Sequence, residues 1–187
     1  MSDPTKIIFT KEQHKLLQRR WTADLHFGHK NIIRYCNRPF VDVPQQDAKQ
    51  IENWNADVNE FTETIVVGDF AFASFERQKQ ILKQLKGRKV LVRGNHDENP
   101  MNLYLDLGWD EVICDIWITK LANGRTIGVA HDPAKSVMDR SMPWVVGHLH
   151  DLFTLYGNCL NVGVDVHNFT PISETKVIEY ITRMQFK

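Results

Sequence analysis

The chain has 187 residues, 23 basic against 23 acidic side chains and a hydrophobic fraction of 42%, enough for one domain with a real core. A formal net charge of zero argues against a polyanion-wrapping surface, so charge does not indicate nucleic acid as a partner, although it leaves nucleic acid possible. No stretch approaches the ~18 apolar residues of a membrane span, and Cys36, Cys114 and Cys159 lack CxxC spacing, which argues against a zinc finger and for reduced thiols in a soluble cytoplasmic protein with no membrane partner.

In chain order, residues 1–20 are the least patterned. Ile7, Ile8 and Phe9 fit a strand or a loose arm, and Thr10 to Arg20 fit a capped helix, so this stretch reads as a peripheral N-terminal segment of one domain spanning 1–187. Ile51, Trp54, Val58 and Phe61 recur at three- and four-residue spacing and predict a helix from Gln46 to Phe61. A strand follows at Thr64 to Gly68, then a helix at Phe75 to Lys86 carrying Ile81, Leu82 and Leu85 and stopped by Gly87. Further strands are expected at Lys89 to Arg93, Val112 to Thr119, Thr126 to Ala130 and Trp144 to Gly147. Asn123-Gly124 accepts positive φ at both positions of a tight hairpin, which makes two neighbouring strands antiparallel and the sheet mixed. Ser173, with Pro171 just upstream, caps a last helix whose apolar stripe is Val177, Ile178, Ile181 and Met184. The class is α/β.

Polar residues that are costly to bury stand directly after the apolar strands, where loops at a sheet edge build a site. They read Asp24-Leu25-His26, Gly68-Asp69, Gly94-Asn95-His96-Asp97, His131-Asp132 and Gly147-His148-Leu149-His150. Carboxylate oxygen mixed with imidazole nitrogen suits manganese, iron or zinc more than calcium. Asp24 and His26, like His148 and His150, lie at i and i+2, so an extended segment would aim both at one ligand while the leucine between faces the core. The glycines before Asp69, Asn95 and His148 fit sharp turns with close backbone approach.

The ordered series DxH, GD, GNH followed by D or E, H, and GHxH resembles the calcineurin-like metallophosphoesterase family. The resemblance covers Asp24 to His150, and the wording DLHFGHKNII with VGDFAF is similar to small single-domain members from bacteria and phages. It implies mixed β-sheet layers forming a β-sandwich flanked by α-helices in a four-layer architecture. It also implies two divalent metal ions, manganese first, with iron, zinc or nickel as alternatives. Asp24, His26 and His150 would hold one ion, Asn95, His131 and His148 the other, and Asp69 would bridge them. A hydroxide shared by the two ions would attack phosphorus, and His96 would serve as the catalytic general acid. Some relatives orient that histidine with an Asp three residues after the bridging one; this chain has Phe72 there, and Asp97 or a water would have to serve.

His29, Asn31 and Arg34 fit a helix start facing phosphate, with Arg34 or Arg38 clamping the substrate; a solvated helix end is the equal alternative. Trp21, Trp54, Trp109, Trp117 and Trp144 read as packing more than as base-stacking, Lys83, Lys86, Arg88 and Lys89 as a solvated helix end, and His14 and His167 as structural. The expected activity is a phosphodiesterase or phosphatase acting on a small or nucleotide-like phosphate ester. The alternatives are a nuclease acting on nucleic-acid ends and a non-catalytic protein-interaction scaffold of the same fold.

Overall fold

A computed structural model describes residues 18–184. The expectations for Ile7 to Phe9, for residues 10–17 and for His14 lie outside the described residues. Residues 18–20 are not helical: they begin strand β1 (Gln18–Thr22), which pairs in parallel with β2 (Thr62–Val67) from Gln18↔Thr62 onward. Strand β1 lies between β10 and β2 and runs on into the fully buried Trp21 and Thr22, so residues 18–20 belong to the sheet and not to a peripheral segment. Tertiary pairing overrides local helical pattern here.

The remaining strands are β3 (Arg88–Val92), β4 (Glu111–Ile113), β5 (Ile116–Lys120), β6 (Thr126–Ala130), β7 (Trp144–Val146), β8 (Leu155–Tyr156), β9 (Cys159–Asn161) and β10 (Ile172–Ser173). Helices are α1 (Lys30–Tyr35), α2 (Val43–Asp57), α3 (Phe75–Gln84), α4 (Met101–Leu107) and α5 (Glu174–Arg183). One sheet has the order β10-β1-β2-β3-β4 and the other β5-β6-β7-β9-β8. Each mixes parallel and antiparallel pairs, since β10 and β5 run antiparallel to their neighbours while β1-β2-β3-β4 and β6-β7-β9 are parallel.

The two sheets face each other through Trp21, Ile65, Val67, Val90 and Val92 on one side and Ile127, Val129, Val145, Leu160 and Val162 on the other. Val66 and Leu91 point the opposite way, against Trp54, Ile81, Leu82, Tyr104, Leu107 and Trp109 of the helical layer. A strand buried on both faces reads as a continuous apolar run, which is why IVV in β2 and VLV in β3 are legible. Trp21, Trp54, Trp109 and Trp144 are buried core residues, as packing required. On the outer face of the second sheet, the 3₁₀ helix Pro133–Met138 lies over β6 and β7. Ser173 caps α5 by accepting from the Lys176 amide at 3.2 Å, and α5 sends Val177 and Ile181 between the sheets.

Three expectations need correction. Helix α2 starts three residues early, because Asp42 accepts from the Gln45 amide and Pro44 sits in the first turn, and it ends at Asp57, leaving Phe61 63% exposed. Val112 to Thr119 is two strands: the chain leaves the first sheet after Ile113 and enters the second at Ile116. Ile113 and Trp117 pack on the same inter-sheet core, so the apolar pattern runs across the crossover without a break. The β5-β6 hairpin is antiparallel as expected, but only Gly124 takes positive φ (83°), while the Gly124 amide donates to Leu121 at 2.8 Å and the Leu121 amide to Arg125 at 3.0 Å. That is a three-residue loop with glycine in the left-handed position, not a two-residue turn. Among the described residues, no helix is long and apolar enough to cross a membrane.

Candidate metal centre

The loops that follow β1, β2, β3, β6 and β7 meet at one edge of the sandwich. Backbone bonds lock the first two together: Asp24 N–H donates to Gly68 at 3.1 Å and His26 N–H to Asp69 at 3.0 Å. Asp24, His26, Asp69, His148 and His150 all lie in the left-handed region, with φ of 57°, 49°, 55°, 74° and 47°. The Asp24-Leu25-His26 and His148-Leu149-His150 pairs are therefore not extended, contrary to expectation. Asp24 and His26 reach a common side through two left-handed residues around the buried Leu25, a conformation that costs each non-glycine residue about 1–2 kcal/mol. Gly68 combines φ of 82° with such close packing that a Cβ would collide with the His131 ring and the Gly94 backbone.

All seven residues expected to bind metal converge. Asp24, His26 and His150 form one group whose ligand atoms lie within 4.8 Å of one another, and Asp69, His131 and His148 form a second. Asp69 stands between them, its Oδ2 3.5 Å from His26 Nε2 and 3.3 Å from His131 Nε2. Asn95 Oδ1 joins the second group, 3.1 Å from His131 Nε2 and 2.9 Å from His148 Nδ1. Asp24, His26, Asp69 and His131 are buried, His148 and His150 half-buried, and Asn95 and His96 exposed at the mouth.

The donor set fits divalent cations. Both ring nitrogens of His26 are buried without a hydrogen-bond partner among the described residues, at a cost of about 1–3 kcal/mol for such a group unless something else satisfies it. His131 Nδ1 contacts the Val67 carbonyl at 2.8 Å, which makes Nδ1 the protonated nitrogen and turns Nε2 toward Asp69 and Asn95. His131 Nε2 also lies 3.2 Å from His148 Nδ1, two nitrogens directed at one point.

Burial drives the Asp24 carboxyl up to about 6 against the pull of His131 and His150, and drives His26 down to about 3. For Asp69 burial pushes up, but the hydrogen bond and charge of His131 and the His96 amide bring it down to about 2. Burial would lower His131 and His150, yet hydrogen bonds donated by His131 to Asp69 and by His150 to Asp165, with a further hydrogen bond between His150 and Cys36 and the charge of Asp24 near both, lift them to about 9 and about 10. Protons on these two histidines thus offset the carboxylates. Their contribution to stability is fully present below the unfolded value near 6.5 and is lost as pH rises through about 9 to 10. A cation binding here must displace those protons, so uptake of Mn²⁺ at pH 7 should release protons and weaken as pH falls. Calorimetry in buffers of different ionisation enthalpy checks this; uptake without proton release would contradict it.

Buried Asp97 accepts from the amides of Asp69 (2.8 Å), Phe70 (3.4 Å) and Gly94 (2.9 Å), bracing the two glycine turns. It supports the loop but not the His96 ring. The His96 amide donates to Asp69 Oδ1 at 3.0 Å, and its imidazole, 5.7 Å from the His26 ring, makes no hydrogen bond to a described residue. Phe72 lies edge-on to it at 6.0 Å and 4.6 Å from His29, an exposed aromatic ring on the rim that sequence reasoning treated only as a missing carboxylate.

Of the four residues expected to touch substrate, His29 is near the centre. It caps α1 by accepting from the Ile32 amide at 2.9 Å, and its ring lies 5.5 Å from that of His26. Asn31 and Arg34 are exposed on α1, with the Arg34 guanidinium over the Tyr35 ring at 5.5 Å. Arg38 is not a clamp. Its side chain is fully buried, and its donors go to both Asp165 oxygens, to the carbonyls of Asp24 and Leu25, and to Gln46. His167, outside the site, bonds through Nε2 to the Asn161 carbonyl at 2.9 Å.

Asp165 was missed. It contacts His150 Nδ1 through Oδ2 at 3.1 Å and sits in a 3₁₀ turn shortly after β9, so the signal that marked Asp24 and Asp69, a carboxylate just past an apolar strand, was present in NVGVD. Cys36, His150 and Asp165 make a third group of possible ligands. Arg38 already occupies both Asp165 oxygens at 2.7 and 2.9 Å, so this group reads as a hydrogen-bond network behind His150. Cys36, Cys114 and Cys159 are all unpaired thiols.

No protein-family model matches the chain. An uncharacterized protein of Methanocaldococcus jannaschii is 29% identical over 171 residues, covering 86% of this chain and 89% of that protein. The gene 66 protein of Mycobacterium phage L5 is 35% identical over 86 residues, 44% of this chain and 41% of that protein. Among solved structures, a protein of unknown function from Aquifex aeolicus shares the fold, with a TM-score of 0.70 at 23% identity over 87% of this chain and 98% of that one.

Proposed function

We propose that this protein is a dinuclear metal-dependent phosphoesterase of the calcineurin-like type, cytoplasmic, hydrolysing a phosphodiester or phosphomonoester of a small or nucleotide-like molecule. The observation that carries the reading is the meeting of two donor groups on opposite sides of Asp69, with the buried His26 nitrogens making no hydrogen bond to a described residue. In the four-layer architecture that goes with it, α2, α3 and α4, packed on the first sheet, would be one outer layer, the two sheets the middle, and the Pro133–Met138 segment, in contact with β6 and β7, a reduced fourth layer.

Asp24, His26, Asp69 and His150 would hold one divalent cation and Asp69, Asn95, His131 and His148 the other, with manganese first and iron, zinc or nickel as alternatives. When bound, such a pair acidifies water and neutralises the charge that builds on phosphoryl oxygens. The protein's own share is placement. Asp69 binds the His96 amide through Oδ1 and faces both groups through Oδ2, so His96 is fixed relative to the centre. His96 stands at the mouth, where it can give its proton to the leaving oxygen as the ester bond breaks. Phe72 and His29 form the adjoining wall, a surface suited to the organic part of the ester.

Neutral overall charge disfavours the nuclease alternative, and the retention of His96 beside a complete donor set disfavours the scaffold. The experiment compares bis-p-nitrophenyl phosphate, p-nitrophenyl phosphate, cyclic nucleotides and short oligonucleotides with Mn²⁺, Ni²⁺ and Zn²⁺. Hydrolysis that is lost in chelator and restored by Mn²⁺ is expected; inertness across the panel would favour the scaffold.

A further inference from the structure

We infer that Asp165, anchored by Arg38, is a positioning residue that fixes the His150 imidazole so that Nε2 faces Asp24 and His26. The inference rests on the metal-centre reading above. Its basis is a buried chain of polar contacts that the metal ligands alone do not require.

Asp165 Oδ2 lies 3.1 Å from His150 Nδ1, and its side chain is only 3% exposed. Arg38 grips the same carboxylate in a forked pair, Nε to Oδ1 at 2.7 Å and Nη2 to Oδ2 at 2.9 Å. The same guanidinium donates to the Asp24 carbonyl at 2.7 Å, the Leu25 carbonyl at 3.1 Å and Gln46 Oε1 at 3.1 Å. Gln46 in turn donates to the His26 carbonyl at 3.3 Å and Gln50 to the Leu25 carbonyl at 3.0 Å. One arginine therefore ties the Asp24-His26 loop to the carboxylate behind His150.

A buried ion pair contributes little net stability, because desolvation offsets the attraction. Its use here is geometric. A carboxylate accepting from Nδ1–H sets the histidine tautomer, leaves the Nε2 lone pair bare and makes that nitrogen a stronger donor to a cation. The need is real, since His150 sits half-buried on a left-handed loop residue with φ of 47°, and Asn161 holds only its carbonyl, at 2.8 Å. Nothing in that backbone contact selects a ring orientation.

The test uses the full chain and Mn²⁺ alone, comparing wild type with Asp165→Asn by calorimetric titration. Wild type should take up two ions. The variant should bind one of them with affinity lowered about 10- to 100-fold and the other unchanged. Two ions bound by the variant as tightly as by wild type would overturn the role of Asp165 and leave the dinuclear reading standing. No uptake by wild type would overturn both. Should the variant fail to fold with Arg38 uncompensated, ¹⁵N spectra of the histidine rings in Zn²⁺-loaded wild type decide: Nδ1–H with Nε2 on the metal is expected, and Nδ1 on the metal would overturn the inference.

Discussion

Replacing Asp69 with Asn is expected to abolish hydrolysis and two-metal binding together. The Asp69 carboxylate faces His26 on one side and His131 on the other at 3.5 and 3.3 Å, so it is the group placed to serve both of the proposed cations. An amide keeps the shape but removes the negative charge and offers one oxygen in place of two. Its NH₂ would point at a cation. With several kcal/mol of transition-state stabilisation resting on the metal pair, the rate should fall by at least about 10³-fold, equivalent to roughly 4 kcal/mol. Metal stoichiometry and kcat/KM in Mn²⁺ are measured together on the folded variant. Full turnover would remove Asp69 from the bridging position.

For His96→Ala the expected result is different in kind. The ring is exposed, makes no hydrogen bond to a described residue and holds its place through the backbone bond to Asp69 and the edge of Phe72. Its truncation should leave thermal stability and both metal ions unchanged while lowering kcat by about 10²-fold or more. The loss should be greatest for alkyl esters, whose leaving oxygen needs a proton, and smallest for p-nitrophenyl esters, whose leaving group departs as an anion. A variant that lost one metal ion would make His96 a ligand. Equal losses on both ester types would deny it the general-acid role.

The fold was most legible where strands are buried on both faces. Ile65 to Val67 and Val90 to Val92 are uninterrupted apolar runs because sheet and helices cover them alike. Each of the runs that ends in Gly-Asp, Gly-Asn-His or Gly-His announced a site residue for the same reason: a costly polar group placed where the strand stops. Strand β1 hid because Gln18, Arg19 and Arg20 look like a polar helix until Arg19 meets Glu63 and Arg20 meets Asp57. The break between β4 and β5 hid because both strands feed one core.

At the site, residue types were legible but conformation and second contacts were not. Nothing local forces Asp24 or His148 into the left-handed region; the surrounding loops impose it. Arg38 reads as a phosphate clamp because an arginine close in sequence to a candidate phosphoesterase motif often binds the phosphoryl oxygens. Its true partner, Asp165, lies 127 residues away, and pairing over that distance leaves no mark in the spacing of either residue. Phe72 shows the converse, a substitution that registers as a loss in the motif and as an aromatic wall in space.

Crystals soaked in Mn²⁺ and measured for anomalous scattering test the dinuclear centre most directly. Two adjacent peaks are predicted, one bounded by Asp24, His26 and His150 and the other by Asn95, His131 and His148, with Asp69 between them. A single peak, or manganese bound only away from Asp69, would contradict the account.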